Sequence, residues 1–177
     1  RHLGDRSKNP DKYKKDGKIL ELAFNDENTD LSLKHRYAYY CGQSYRDSNL
    51  YQKSINWFNK YLELPNNDNN QYKYCACISL GMNYKDIKNT EQSLYFFGLA
   101  YNYDSTRIEG ITYIMQYFYD KKLHFIVNAL WNKFKYYKIL NSTDKIFLNN
   151  NIYRWFELYN MVSGFYSGDL DGAYESC

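Results

Sequence analysis

The sequence has few residues that break helices, and it has no long apolar run. Only two prolines occur in 177 residues, and both Pro10 and Pro65 fall at predicted helix boundaries. No stretch of about 18 apolar residues is present, so no membrane span is predicted. No segment shows the sustained alternation of apolar and polar residues that is typical of strands. These absences predict an all-α chain without a transmembrane helix.

A strong excess of charge of either sign is also missing. The 23 basic and 20 acidic residues leave a net charge of +3. Such a small and mixed charge argues against nucleic acid as a partner. The 22 tyrosines leave one alternative open, a helical-repeat RNA binder whose tyrosines stack on bases. Strong salt dependence of RNA binding would support that alternative. An AT-rich genome is the simplest explanation for abundant tyrosine, asparagine and lysine.

Motifs that carry chemistry are scarce. The four cysteines have no C-x-x-C spacing, so neither a zinc site nor a disulfide framework is indicated, and reduced cysteines fit a cytoplasmic protein. His2, His35 and His124 are scattered, and no phosphate-binding glycine loop occurs. We read "DLD" at 169–171 and the sequon "NST" at 141–143 as chance matches. We therefore expect no catalytic residue, no metal site and no cofactor in this chain.

Helical periodicity divides the chain into nine predicted helices. Asn9-Pro10 is a good helix start, and "DSTRIEG" at 104–110 contains a T-x-x-E capping box. The first helix carries a predicted apolar stripe of Tyr13, Ile19, Leu20, Leu22, Ala23 and Phe24. The predicted helices cover residues 10–25, 32–47, 50–63, 71–86, 91–102, 107–120, 122–139, 151–166 and 170–177.

One motif occurs twice within the predicted helices. Aligning Gly42 with Gly81, 39 residues later, also aligns the pairs Tyr45 and Tyr84, Ser54 and Ser93, and Phe58 and Phe97. Glycine costs a helix roughly 1 kcal/mol relative to alanine, so a retained glycine indicates that a neighbouring helix needs the space. We predict that each glycine lies where two helices cross, with the serine opposite. The pattern resembles the tetratricopeptide repeat, a helix–turn–helix unit of 34 residues.

Further units follow less regularly. The five residues beyond 34 fit the loop "LPNNDNNQ", and a third, degenerate unit carries Met115, Phe118, Val127 and Trp131 at the motif positions. Gly168 and Ala173 suggest a fourth. We predict helical hairpins forming a right-handed superhelix over 9–177, with full units at about 35–68, 74–107 and 108–140, and a partial unit at 151–177.

Aspartate ends the first predicted helix of each unit, at Asp47, Asp86 and Asp120. An acidic residue at a helix C-terminus opposes the helix dipole, so it needs a partner or solvent. The three could share a contact in a groove. Turn chemistry is the simpler interpretation, because aspartate favours turns.

Several strings occur together in a recognisable order. They are "KYKKDGKILELAF", "RYAYYCGQSYRDS", "SINWFNKYLEL", "DSTRIEG" and "NIYRWFELYN". In this order they resemble the tetratricopeptide-like C-terminal region that follows the catalytic domain of certain bacterial and viral family 2 glycosyltransferases. The resemblance covers nearly the whole chain.

This resemblance implies a catalytic domain before residue 1, with a nucleotide sugar and a divalent metal as its cofactors. Residues 1–8 would then be a linker, and "RHLGDRS" would be the trailing edge of that domain, with His2 at the rim of its donor site. The chain itself would be a non-catalytic accessory domain that binds a protein or glycan acceptor, or a partner protein. The alternative is a free-standing interaction scaffold with no enzymatic parent. Either could form oligomers.

The first helices of such hairpins line the concave side of a superhelix, so their outward residues form a candidate binding groove. Tyrosine suits this role, because it offers an apolar face and one hydroxyl. A merely exposed helix face is the alternative. The groove residues are Arg36, Tyr39, Gln43 and Arg46 from the first unit, Ile78, Met82 and Lys85 from the second, and Thr112, Gln116 and Tyr119 from the third.

We predict that the purified chain transfers and hydrolyses no sugar, because the sequence provides no nucleotide-binding unit and no credible base. The measurement is turnover of a panel of nucleotide sugars in the presence of manganese, with an active glycosyltransferase as the positive control. Robust turnover by the chain alone would show that its residues include an active site.

Overall fold

The described part of the chain in the computed structural model, residues 10–66, 68–136 and 145–168, consists of eight α-helices without any strand. The all-helical prediction is confirmed. Most predicted helix boundaries agree with the structure within three residues, but α7 ends at Phe134 rather than continuing to 139. The predicted helix at 170–177 lies outside the described residues. The helices are α1 (Pro10–Asn25), α2 (Leu31–Asp47), α3 (Tyr51–Glu63), α4 (Asn70–Asp86), α5 (Thr90–Tyr103), α6 (Glu109–Asp120), α7 (His124–Phe134) and α8 (Asn150–Ser167).

The chain forms two compact units, Arg1–Ser93 and Leu94–Cys177. In the first unit α2 packs against both α1 and α3, and α4 packs against α3 and α2. In the second unit α6, α7 and α8 pack against one another. None of the described helices combines the length with the apolar character that a membrane span requires.

The same turn follows α2, α4 and α6. Each of these helices ends at an aspartate, and two residues later the backbone adopts the left-handed conformation, with φ of 59° at Asn49, 63° at Lys88 and 58° at Lys122. The next amide then donates to a carbonyl five residues back, which is the Schellman pattern of a helix C-terminus. These bonds are Leu50 to Tyr45 at 2.9 Å, Asn89 to Tyr84 at 2.8 Å and Leu123 to Phe118 at 2.9 Å. This geometry favours the turn interpretation of the three aspartates.

The predicted close crossings are confirmed in the first unit. The Ser54 hydroxyl donates to the Gly42 carbonyl at 2.7 Å, and the Ser93 hydroxyl donates to the Gly81 carbonyl at 2.8 Å. A Cβ atom on Gly42 would lie 3.0 Å from the ring of Phe58, so any side chain there meets a buried ring.

The third hairpin, formed by α6 and α7, has no glycine and no serine at these positions, and apolar side chains fill the space between its helices. Met115 of α6 and Val127 of α7 are completely buried in one apolar cluster that also contains Trp131 and Phe156. Side-chain packing thus replaces the close backbone approach of the first two crossings.

The five residues by which the spacing from Gly42 to Gly81 exceeds 34 lie in helix α4, not in the predicted loop. Gly42 and Gly81 are each the twelfth residue of their helices, whereas Met115 is the seventh residue of α6. The connection from α3 to α4 and the connection from α5 to α6 differ by one residue in length. The assignment of the excess to "LPNNDNNQ" was therefore largely wrong: α2 and α4 have an additional first turn that α6 lacks.

The predicted capping box at the start of α6 is wrong. The helix begins at Glu109 without a side-chain cap, and the Thr106 hydroxyl donates to Asp104 at 2.6 Å. The Glu109 carboxylate is occupied by Arg107. A buried ion pair has thus replaced the expected contact with the helix backbone.

Two smaller expectations also need correction. Ile19 and Leu22 belong to the predicted apolar stripe of α1 but are 63% and 74% exposed. The buried face of α1 instead includes Gly17. A Cβ atom on Gly17 would lie 3.0 Å from the Tyr45 ring. Gly168 ends α8 in the left-handed conformation, with φ of 77°, so it is not a crossing glycine. Ala173 lies outside the described residues.

We predict that Gly42→Leu destabilises the first unit by about 1–3 kcal/mol, because the new side chain overpacks against Phe58. Gly98→Ala is the control, since a Cβ there has no atom within 4 Å, and it should stabilise α5 by about 0.5–1 kcal/mol. Urea unfolding followed by circular dichroism measures both. Equal effects of the two substitutions would contradict a tight crossing at Gly42.

Candidate binding sites

The first unit contains a cavity of about 490 Å³, which we call the α2–α4 cavity. The additional first turns of α2 and α4 contribute to it through Ser32, His35 and Tyr72. This volume lies within the range of about 300–1,000 Å³ that is typical of ligand sites. Its complete lining is Ser32, His35, Arg36, Tyr39, Tyr40, Tyr61, Asn66, Asp68, Asn69 and Tyr72.

Tyr39 is the centre of the aromatic wall of this cavity and is only 3% exposed. Its ring packs edge-on against Tyr40 at 5.4 Å, Tyr61 at 5.5 Å and Tyr72 at 4.7 Å between ring centroids. Burial, above all, raises the pKa of the Tyr39 hydroxyl far above its usual value. The rings of the wall therefore pack against one another, and the Tyr39 hydroxyl stays protonated.

Charged and polar groups surround this wall. The Arg36 guanidinium lies 5.8 Å from the Tyr40 ring centroid, and Asp68 adds a carboxylate from the connection between α3 and α4. The His35 Nε2 and the Pro65 carbonyl oxygen are 2.9 Å apart and form a hydrogen bond. Since a carbonyl can only accept, the histidine is the donor. This bond ties α2 to the connection that carries Asp68. The cavity therefore joins an aromatic wall to one cation and one anion.

A second cavity of about 320 Å³ lies between α6 and α8 in the second unit, and we call it the α6–α8 cavity. Trp155 contributes an indole that is 48% exposed, and its ring stacks on that of Tyr159 at 5.9 Å. The complete lining is Thr112, Tyr113, Gln116, Ile152, Trp155 and Tyr159.

The predicted groove residues divide between these cavities and other surroundings. Arg36 and Tyr39 line the α2–α4 cavity, and Thr112 and Gln116 line the α6–α8 cavity. Thr112 is almost fully buried and its hydroxyl donates to the Ile108 carbonyl at 2.9 Å. The remaining predicted residues, Gln43, Arg46, Ile78, Met82, Lys85 and Tyr119, line neither cavity. A single groove through all ten residues stays a prediction.

Arg46 participates in a polar chain that links three helices. Its Nη1 donates to the Asn83 Oδ1 at 3.0 Å and to the Ser79 carbonyl at 3.0 Å. The Asn83 Nδ2 donates to the Ser54 hydroxyl at 2.8 Å, and Ser54 donates in turn to Gly42. The chain thus runs from α2 through α4 and α3 back to α2, and it gives Arg46 a structural role.

A buried charge cluster organises the second unit. Arg107 forms an ion pair with Glu109 at 2.7 Å and donates to the Ile146 carbonyl at 2.9 Å. The Tyr153 hydroxyl of α8 donates to the same glutamate at 3.0 Å. The pKa of Tyr153 is raised, first by burial and then by the charge of Glu109. Lys145 pairs with Asp104 at 2.5 Å. Residues of the strings "DSTRIEG" and "NIYRWFELYN" therefore meet in one buried cluster of the second unit.

The described residues contain no group of three or more histidine, cysteine, aspartate or glutamate side chains placed to hold a metal ion. Burial raises the pKa of Cys77 to about 12 and that of Cys41 still further, so both thiols stay protonated. The sequence strings "DLD" and "NST", and His2, lie outside the described residues.

Sequence reasoning missed several cavity residues. Tyr72 and His35 lie on the additional first turns, within the predicted helices 71–86 and 32–47, but the predicted groove included neither of them. Trp155 and Tyr159 lie on α8, where no complete hairpin was predicted. An i, i+4 pair of aromatic residues in "YRWFELY" was the one signal for the second cavity.

We predict that Ser54→Ala destabilises the first unit more than Ser93→Ala does. Removing Ser54 leaves the buried Asn83 amide without its acceptor, which costs about 1–3 kcal/mol, whereas Ser93 accounts for one hydrogen bond worth about 0.5–1.5 kcal/mol. Urea unfolding of both variants is the measurement, and Ser48→Ala, which removes one local hydrogen bond to the Ser44 carbonyl in a partly buried turn, is the control. A larger loss in Ser93→Ala would contradict the three-helix chain.

Comparison with known proteins assigns no family: no protein-family model, curated protein or solved structure matches the chain. A function therefore has to be drawn from its own cavities and motifs.

Proposed function

We propose that the chain is a non-catalytic helical-repeat module that binds an extended segment of a partner or acceptor protein. The hairpins would stack as a right-handed, tetratricopeptide-like superhelix. The recurrent turns after α2, α4 and α6 support this arrangement, and so do the two serine–glycine contacts, which lie 39 residues apart. The proposal includes a cytoplasmic location, which the free state of the buried cysteines Cys41, Cys75 and Cys77 supports.

The α2–α4 cavity is the observation that carries the proposal. Insertions in repeat proteins often build the binding face, and this cavity is formed where α2 and α4 have an additional turn. The cavity is also formed in advance: its tyrosines pack against one another, and His35 holds the adjoining connection. A preformed site reduces the entropic cost of binding.

The lining indicates the chemistry of the bound segment. Tyrosine rings accept an apolar or aromatic side chain, because they offer flat apolar faces with hydroxyls at their edge. Arg36 has donors that can bind a carboxylate or a main-chain carbonyl, and Asp68 can accept from a cation or an amide. We expect an apolar residue with an acidic neighbour, positioned so that the carboxylate reaches Arg36.

We further propose that the module belongs to a family 2 glycosyltransferase, whose upstream catalytic domain would hold the nucleotide sugar and the divalent metal. The ordered sequence strings support this parent. The alternative is a free-standing scaffold of the same fold. Sequencing the gene upstream of the Arg1 codon separates the two, since a strand-rich segment with a D-x-D motif supports the enzyme and its absence supports the scaffold.

We predict that Arg36→Ala weakens binding of a display-selected peptide about tenfold, which corresponds to about 1.4 kcal/mol. The reason is that a hydrogen bond to a charged group contributes about 1.5–3 kcal/mol. The peptide is selected from a random library on the purified wild-type chain, and its affinity is measured by fluorescence polarisation.

Lys53→Ala is the matched control, because Lys53 is another exposed cation over a tyrosine, 5.0 Å from the Tyr45 ring centroid, and it does not line the cavity. Its affinity should equal that of the wild type. Equal losses in both variants would reduce the role of Arg36 to general charge attraction. Wild-type affinity in Arg36→Ala would remove the α2–α4 cavity as the site.

A further inference from the structure

The α6–α8 cavity differs from the α2–α4 cavity in its electrostatics. All six residues that line it are uncharged, whereas Arg36 and Asp68 line the other cavity. A charged ligand would lose hydration here without gaining a counter-charge from the lining. The lining therefore suits a neutral ligand, and the Asp120 carboxylate near Tyr159 disfavours an anion.

The polar groups of this cavity can both donate and accept hydrogen bonds. The Gln116 side-chain amide has two hydrogen-bond donors and one acceptor oxygen. The hydroxyls of Tyr113 and Tyr159 can each donate and accept a hydrogen bond. Burial, followed by the charge of Asp120, raises the pKa of Tyr159, so its hydroxyl stays protonated. A ligand rich in hydroxyl groups matches this set, because each hydroxyl also both donates and accepts.

The aromatic groups supply an apolar face that is held in place. The Trp155 ring stacks on Tyr159, with 29° between the ring planes, and Tyr159 packs against Tyr119 at 5.0 Å. Trp155 nevertheless remains 48% exposed, in contrast to Trp57 at 8% and Trp131 at 6%. A flat indole that is fixed and open suits a ring with an apolar C–H face.

We propose that the α6–α8 cavity binds a neutral pyranose sugar, with the C–H face of the sugar on Trp155 and its hydroxyls bonded to Gln116 and a tyrosine hydroxyl. A proline ring would also pack on an indole, but it has no hydroxyl that could form a hydrogen bond with the amide or the phenols. The volume of about 320 Å³ is at the lower end of the range for small-molecule sites, which fits one or two rings. This site lies in the second unit and does not depend on peptide binding in the first.

The exposure of Trp155 gives a direct test on the intact chain. We add methyl β-glucoside, methyl β-galactoside and N-acetylglucosamine, and measure acrylamide quenching of tryptophan fluorescence together with saturation-transfer NMR of the sugar protons. We expect at least one sugar to protect Trp155 with a Kd of about 1 mM, since small ligands in open sites bind weakly. In Trp155→Phe the protected fraction of the fluorescence should disappear.

Gln116→Ala should weaken sugar binding about fivefold or more, and Gln92→Ala, on α5 and outside both cavities, should leave it unchanged. Circular dichroism confirms that each variant is folded, and Trp155→Phe supplies the answer if Gln116→Ala does not fold. The proposal is overturned if none of the three sugars gives saturation transfer or protection. It is equally overturned if a proline-rich peptide protects Trp155 and the sugars do not.

Discussion

Four polar groups hold three helices of the first unit together. Arg46 donates to Asn83, Asn83 donates to Ser54, and the Ser54 hydroxyl donates to the Gly42 carbonyl. A serine hydroxyl can reach a helix carbonyl only if no side chain separates the two backbones, and glycine provides that space. The position of α4 relative to α2 and α3 therefore depends on a missing side chain and on a completely buried asparagine.

The candidate site of the first unit depends on this arrangement. The polar chain lies in the C-terminal halves of α2 and α4, and the additional turns lie at their N-termini. A helix is stiff over such a length, so fixing one end positions the other, and Tyr39 and Tyr72 meet at 4.7 Å. Stability and the proposed recognition thus involve different parts of the same two helices, so we expect Arg36→Ala to leave the crossing intact.

Much of the fold could be predicted from the sequence, because helix boundaries and crossings depend on local chemistry. Gly42 and Ser54 indicated a close approach through their small size alone, and the structure confirms it. Asn83 could not be found in this way, since its role appears only when α4 lies beside α3. The capping-box prediction at Glu109 was wrong for a similar reason: Tyr153, 44 residues away, and Arg107 bind its carboxylate.

The candidate sites were less predictable. The helices that carry His35 and Tyr72 were predicted, but the repeat alignment gave no reason to expect that their first turns build a cavity. Outward-facing positions were also assumed to be open, whereas Tyr39 is buried by its neighbours and Arg46 is bound to Asn83. Predicting that Trp155 lines a cavity would have required the knowledge that α8 packs against α6.

The most direct measurement is hydrogen–deuterium exchange of the whole chain with and without a peptide selected on it. If recognition depends on the additional turns, the peptide should slow exchange at residues 31–40 and 70–74. The amides around Gly42 and Ser54 should exchange slowly in both states, because the crossing is already closed. Protection confined to the outer face of α3, or rapid exchange at the crossing in the free chain, would contradict this account.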